Sequence, residues 1–166
     1  MMNNQTPLFK LKTLKQQSLA FKYPNFPPSA IPIPTYSDKT ANGLTKMVID
    51  WLQLNGYQAE RINTMGTARV NKGPKDESFN RNFDTVTWTP SGSTKGSADI
   101  SSTIAGYSVK WEVKIGKDRQ SEAQRKYEAD IKKAGGYYFI IRDFNQFYKI
   151  YTNLINKLWP DDRFTI

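Results

Sequence analysis

The spacing of apolar residues predicts four helices along the chain. Apolar side chains recur in each segment with the period of one helical face. The predicted helices cover residues 8–20, 44–54, 122–134 and, after an Asp143 cap, 144–158. The last three end at residues that favour termination, which are Gly56, Gly135 and Pro160. On the third helix we expect a buried stripe of Ala123, Tyr127, Ile131 and Ala134.

Between the helices, shorter segments have the pattern of β-strands. Residues 98–104 and 107–115 flank a two-residue turn and predict a hairpin. Residues 57–63 predict another strand, and the continuous apolar run 137–142 predicts a buried one. The order of elements predicts an α/β fold, with a mixed sheet of four to five strands flanked by helices.

Two segments differ in composition from the rest. Residues 1–39 hold six of the nine prolines. They contain five Lys and only one acidic residue, Asp38, so the sequence predicts a basic, Pro-rich N-terminal arm. Two interpretations of this arm stay open. In the first, the arm packs on its own domain or stays mobile. In the second, its basic and aromatic residues contact nucleic acid or a second subunit. Residues 40–166 form the main domain. Within it, residues 64–96 are an insertion, either a long loop or a β-extension with a strand at 85–89.

Composition excludes several kinds of chemistry. The chain has no Cys and no His, so disulfides, zinc sites of the usual ligands and an imidazole base are impossible. Hydrolysis would have to rely on carboxylates, Lys, Tyr, Ser or an oxygen-bound metal. Since no signal-peptide pattern is present and no apolar run approaches the roughly 20 residues that span a bilayer, we expect a cytoplasmic protein with no membrane contact.

The balance of charge favours a polyanionic partner. There are 24 Lys and Arg against 15 Asp and Glu, a net charge of +9. Neutralising phosphates with such side chains releases counterions and favours binding to nucleic acid. A merely soluble basic protein would have the same composition. The residues expected to contact nucleic acid are Arg69, Lys72, Lys75 and Arg81 in the insertion, and Lys110 in the hairpin.

The second strand of the hairpin carries the candidate chemistry. Because side chains alternate across a strand, Glu112 and Lys114 share one face, and Trp111 faces the core on the other. Asp99 begins the paired strand and falls near the same end of the hairpin. We expect both carboxylates at a solvent-accessible rim.

Two carboxylates at the same end of a hairpin, as expected for Asp99 and Glu112, can hold Mg²⁺, for which Mn²⁺ can substitute. The backbone carbonyl of Val113 is a plausible further ligand. Lys114 could orient an attacking water or stabilise the transition state, and burial beside a metal ion is expected to lower its pKa. Taken alone, Glu-x-Lys on a strand more often marks a solvated face with an ion pair, so these residues need their context.

The spacing of several motifs resembles the PD-(D/E)XK nucleases, and in particular the VRR-NUC branch found in phage and bacterial replication and repair proteins. The run Gly96-Ser97-Ala98-Asp99 is followed by Glu112-Val113-Lys114 and then by Ser121-Glu122-Ala123-Gln124. The resemblance covers residues 40–150. It implies a restriction-endonuclease-like core in which Asp99 and Glu112 bind metal, Lys114 is the catalytic lysine and Gln124 reaches the site. Ser121 and Gln124 also fit a capping box, which alone would explain both.

The resemblance implies a Mg²⁺-dependent DNA endonuclease acting on branched or structured DNA. Its known members also suggest a phage-encoded protein that works as a homodimer. Two alternatives stay open: a catalytically degenerate DNA-binding module, and a sequence-specific restriction-type endonuclease.

The chain departs from the family pattern in three places. Ala98 replaces the proline of the Pro-Asp pair, and the insertion is long. The first core helix lacks the acid that members often carry there, since residues 42–45 contain none and neither Asp50 nor Glu60 matches the position. A second metal would then bind weakly or not at all.

Overall fold

The structure is a computed structural model that describes residues 6–32, 34–63, 66–76, 78, 81–82, 84–90 and 92–160. Within these ranges the helices are α1 (Pro7–Lys22), α2 (Ala41–Leu54), α3 (Glu122–Lys133) and α4 (Phe144–Leu158). The strands are β1 (Gln58–Arg61), β2 (Thr67–Asn71), β3 (Lys75–Asp76), β4 (Arg81–Asn82), β5 (Thr85–Thr89), β6 (Ile100–Ile104), β7 (Tyr107–Val113) and β8 (Tyr137–Ile141). None of the helices in the described ranges is long and apolar enough to cross a membrane.

Four strands form the main sheet, in the order β1-β6-β7-β8. The neighbours β1, β6 and β7 are antiparallel, whereas β8 runs parallel to β7 and is reached through α3. The β6–β7 hairpin turns at Ala105 and Gly106, whose φ angles are 53° and 81°. Two successive residues with positive φ form the tight turn whose twist matches the flanking strands. The α/β class and the mixed four-stranded sheet predicted from the sequence are confirmed.

One face of the sheet carries the hydrophobic core. Trp111 and Val113 of β7 are buried on this face, where α2 packs through its apolar stripe. Helix α4 packs beside α2, and the rings of Trp51 and Phe144 meet edge to face with their centroids 6.1 Å apart. Helix α1 lies against both α2 and α4 with Leu11 fully buried. The first helix of residues 1–39 is therefore part of the packed body.

Helix α3 covers part of the opposite, polar face. Ser121 and Gln124 form a reciprocal capping box at its start, and the rings of Tyr127 and Tyr138 meet with their centroids 6.3 Å apart. The four residues of α3 that were expected to form a buried stripe are only partly covered, because α3 packs chiefly against β8. Ala123, Tyr127 and Ile131 are half-buried and Ala134 is exposed.

The insertion is a β-extension rather than an irregular loop. Strands β2 and β5 pair antiparallel over five residue pairs, and the two-residue strands β3 and β4 pair beyond them. Strand β5 occupies the predicted positions 85–89. Every residue of β2 and β5 is exposed, so this two-stranded sheet, called the ribbon below, projects from the packed body.

Candidate active site

Glu112 and Lys114 lie side by side on the polar face of β7. The Lys114 Nζ is 3.0 Å from Glu112 Oε1. Glu112 is 1% exposed and Lys114 is 6% exposed, so the pair is buried although it lies on the face opposite the hydrophobic core. The expectation that Glu112 lies at a solvent-accessible rim is therefore wrong, because α3 and the β8 side chains cover this end of β7.

Gln124 links the two charged side chains. Its Nε2 donates to Glu112 Oε1, and its Oε1 accepts from Lys114 Nζ at 3.1 Å. The same Oε1 accepts from the backbone N–H of Ser121 at 2.9 Å, which is half of the capping box. The two interpretations of Gln124 drawn from the sequence are thus compatible, since one amide caps α3 and also reaches Glu112 and Lys114.

Asp99 reaches β7 through the backbone. Its Oδ2 accepts from the Val113 N–H at 2.8 Å, just past the last residue pair of β6 and β7. The N–H and C=O groups of one strand residue point towards the same edge, so the Val113 carbonyl is directed to the Asp99 side. Asp99 is only partly exposed, and its charge is near enough to affect Glu112.

Gly96 explains how the segment before Asp99 reaches this place. Its φ angle is +83°, in the left-handed region that favours glycine. A Cβ atom at Gly96 would lie 2.4 Å from the backbone carbonyl of Ala123, in the first turn of α3. Only glycine allows the chain to cross the start of α3 this closely, so motif segments far apart in sequence meet at one place.

The sequence analysis missed two further contacts. The Tyr138 hydroxyl of β8 donates to Glu112 Oε2 at 3.1 Å and is buried. Asp118 Oδ2 lies 3.3 Å from Lys114 Nζ. The apolar run that predicted β8 gave no reason to single out Tyr138, whereas Asp118 follows Lys114 by four residues and could have been considered. We call Glu112, Lys114, Gln124 and Tyr138 the polar cluster.

Burial and pairing set the charge state of the cluster. Burial is the largest cause that raises the pKa of Glu112; Asp99 raises it further, while hydrogen bonds from Lys114 and Tyr138 oppose the shift. Burial alone would lower the pKa of Lys114, but its interactions with Glu112, and then with Asp118, raise it. The lowered pKa expected for Lys114 beside a metal ion stays a prediction. Without a metal ion, pairing with Glu112 favours the charged ammonium form of Lys114.

Lys110 lies on the same face of β7 as Glu112, two residues before it in the strand. Its Nζ donates to Ser101 Oγ on β6 at 2.6 Å, and the side chain is half-buried. Burial lowers the pKa of Lys110, and the charge of Glu60 opposes that shift. Lys110 is thus placed beside Glu112, in agreement with the face expected from strand alternation.

The basic residues of the insertion lie away from the cluster, on the extension. Arg69 belongs to β2, Lys72 follows that strand, and Lys75 begins β3; all three are exposed. Arg81 belongs to β4, and its side chain lies outside the described part of the structure. Among the described contacts, none joins Arg69, Lys72 or Lys75 to Glu112.

Helix α2 supplies no acid to the cluster. Asn42 Oδ1 accepts from Arg61 at 2.8 Å, and Thr45 is 4% exposed among core residues. Asp50 is used elsewhere, since it accepts from Tyr36 and Lys46 on the core side of the molecule. A Glu at position 45 would be buried with the core, and one at position 42 would pair with Arg61.

Asp99 and Glu112, the two carboxylates expected to bind metal, both lie at this end of β7, and Asp118 contacts Lys114 beside them. In the part of the chain that the structure describes, no three acidic side chains are grouped to hold one. Two carboxylates and the Val113 carbonyl offer oxygen atoms only, the donor type that Mg²⁺ and Mn²⁺ prefer. Both Glu112 oxygens already accept hydrogen bonds, so a metal ion that binds Glu112 would replace one of these hydrogen bonds. The donor set fits one hard divalent cation.

Comparison with known proteins finds no family model, no curated protein and no solved structure that matches the chain. The geometry of the candidate site is therefore what supports a function.

Proposed function

We propose that the protein is a metal-dependent DNA endonuclease of the PD-(D/E)XK kind, acting on branched or structured DNA. Hydrolysis of DNA adds water across a P–O bond and leaves a phosphate on one product and a hydroxyl on the other. This reaction needs a group that binds metal, a group that positions water and a cation that offsets negative charge.

The observation that carries the proposal is the meeting of Asp99, Glu112, Lys114 and Gln124 at one end of β7. These residues come from three separate segments of the chain. An ordinary surface ion pair would be exposed and would need no third partner. Here the pair is buried and fixed by an amide from another element. The order α2-β1-β6-β7-α3-β8 is compatible with a restriction-endonuclease-like core.

Asp99, Glu112 and the Val113 carbonyl would hold a divalent cation, which lowers the pKa of a bound water and neutralises charge on the phosphate. Lys114 places a fixed positive charge where the attacking water and the phosphate oxygens would lie. Gln124 and Tyr138 hold Glu112 and Lys114 in one arrangement, which avoids reorganisation during the reaction. With so few protein ligands, we expect Mn²⁺ to support faster cleavage than Mg²⁺.

One observation favours a second candidate, a DNA-binding module that has lost catalysis. Both oxygens of Glu112 are engaged by protein groups, and the acid of α2, Asp50, is bonded to Tyr36 and Lys46 instead of reaching the cluster. A cation must then compete with Gln124 or Tyr138 for Glu112. A binding module would retain affinity for DNA without needing that exchange.

Incubation of the purified chain with Mg²⁺ or Mn²⁺ and a panel of linear, flapped and four-way DNA tests the proposal. We expect cleavage of the branched substrates, faster with Mn²⁺, and none after addition of a chelator. Sequence-dependent product ends would favour a restriction-type enzyme instead. Tight binding without cleavage, with either metal and on any substrate, would make the binding module the better function.

A further inference from the structure

The ribbon has one apolar and one polar face, although both strands are exposed. Because residues alternate, register partners Ala68 and Trp88 share one face with the partners Val70 and Val86. Val70 is 61% exposed, Val86 67% and Trp88 64%. Thr and Asn residues, with Arg69, occupy the other face. An exposed Trp beside two exposed Val residues forms an apolar patch of the kind that often marks a binding surface.

The indole of Trp88 lies over Gly66 at the start of the ribbon. A Cβ atom at Gly66 would lie 2.5 Å from the Trp88 Nε1 and 3.0 Å from its Cε2. The absence of a side chain at Gly66 therefore leaves the space that the edge of the ring occupies. The ring is 64% exposed, so much of its surface is available to a ligand that stacks on it.

The apolar face is too small for a protein partner. A strand of five residues is about 17 Å long, and two strands with their side chains are about 10 Å wide, so the face covers roughly 170 Å². Stable protein interfaces bury about 800 Å² on each partner. The face is, however, large enough for one or two nucleic acid bases, which are flat and apolar on both sides.

The charge around the ribbon indicates the same class of ligand. Arg69, Lys72 and Lys75 are exposed on the extension, and the whole chain carries a net charge of +9. Grooves that bind single strands combine such basic side chains with aromatic rings on which bases stack. Paired bases in a duplex are stacked on one another, so only unpaired bases can offer a free face to Trp88.

We propose that the Trp88 face of the ribbon binds unpaired nucleotides of a nucleic acid strand by stacking, with Val70 and Val86 packing against the same bases. The inference rests on the proposed function for the identity of the substrate. It adds to that function a surface on a separate sheet from Glu112 that distinguishes unpaired from paired segments. We expect the phosphates beside the stacked bases to contact Lys72 and Lys75, which follow β2, whereas Arg69 is on the opposite face of the ribbon.

The test measures binding without cleavage. The full chain in a chelating buffer is titrated against a labelled DNA oligonucleotide of about 16 nucleotides, alone or annealed to its complement. Trp88→Ala should weaken binding of the single strand by about 5- to 150-fold, which corresponds to the roughly 1–3 kcal/mol that a base–aromatic stack contributes. Binding of the duplex should change little. The matched control, Thr85→Ala on the opposite face of β5, should leave both affinities unchanged.

Tryptophan fluorescence gives a second readout. Trp51 and Trp111 are 5% and 0% exposed, and Trp159 is 38% exposed, so Trp88 is the most accessible indole. The single strand should quench the emission of the wild type. Trp88→Phe should keep most of the affinity, since it keeps an aromatic face, but should lose most of the quenching.

Unchanged single-strand affinity in Trp88→Ala would overturn the inference, whether or not the wild type cleaves DNA. The same holds if Trp88→Ala alters only the oligomeric mass measured by light scattering, which would identify a protein partner. Failure of the proposed function would differ, because the wild type would then not cleave with Mg²⁺ or Mn²⁺ while the Trp88 effect on binding persisted. A wild type with no affinity for the single strand would overturn the inference directly.

Discussion

The polar cluster and the ribbon are both proposed to act on nucleic acid, but they are built in opposite ways. The charged pair of the cluster is buried and hydrogen-bonded to groups from α3 and β8. The ribbon is exposed on both faces, and its strands pair only with each other. The cluster therefore depends on the stability of the whole fold, whereas the ribbon can change without loosening the body. We expect mutations in the two regions to affect different measurements.

The largest expected effect is on cleavage, in variants that keep the shape of the cluster. Asp99→Asn and Glu112→Gln should each lower the rate by at least about 10²–10³-fold, because a charge that acts on the reacting groups is lost. The measurement is the rate of cleavage of four-way DNA with Mn²⁺. Thr85→Ala on the ribbon serves as the control and should cleave like the wild type. Full activity in either carboxylate variant would exclude the proposed site.

The second effect is on stability and separates the two regions directly. Glu112→Ala removes the partner of the buried Lys114 ammonium group, a change that typically lowers the free energy of unfolding by about 3–5 kcal/mol. Because Lys114 keeps its contact with Asp118, we expect a loss at the lower end of this range. Val86→Ser, an exposed change on the ribbon, should alter the free energy of unfolding by less than about 0.5 kcal/mol. Urea denaturation followed by circular dichroism gives both values. Equal losses in the two variants would contradict the contrast between the regions.

A third effect concerns the dependence of binding on salt. If Lys72 and Lys75 each contact a phosphate, replacing both with Gln should reduce the slope of log Kd against log salt concentration by about 2. Preference among DNA structures should stay the same, because phosphate contacts carry no sequence information. Lys149→Gln, an exposed change on α4, is the matched control. An affinity that does not vary with salt would refute the electrostatic role of the extension.

The smallest effect is on the acid sensitivity of the packed body, which the ribbon should not share. Burial alone would raise the pKa of Asp50, but hydrogen bonds from Lys46 and Tyr36, and then the charges of Lys15 and Lys46, lower it below the ordinary value of 3.8. A carboxyl with a lowered folded pKa stabilises the fold above its unfolded pKa, and this contribution is lost as the pH falls below about 4.

Asp50→Asn should therefore reduce stability at pH 7 by about 1 kcal/mol, a low value because Lys46 is half exposed. The difference from the wild type should shrink as the pH falls below about 4. Urea denaturation at several pH values measures it. A difference that stays constant from pH 7 to the acid range would show that Asp50 does not titrate in this way.

Much of the main sheet could be predicted from local patterns. Alternation in β7 placed Glu112 and Lys114 on one face, and spacing placed Gln124 in the first turn of α3, because both features depend on neighbouring residues only. The ribbon was left open between a loop and a β-extension. Alternation predicts the strand at 85–89, but β2 has only Ala68 and Val70 as apolar residues, too short a pattern to identify it as the partner of β5.

The sequence by itself determined which side chains share a strand face, where the helices end to within about two residues, and that any hydrolytic chemistry must do without His and Cys. Only the tertiary structure decided that Glu112 is buried, that Tyr138 bonds to it and that Asp99 binds the backbone of Val113. The physical reason is that these contacts join residues 14 and 26 positions apart, across strands and a helix, where local periodicity carries no information. Burial is also the largest cause of the pKa shifts of Glu112 and Lys110. The burial of a residue depends on what packs against it in the fold rather than on its neighbours in the chain.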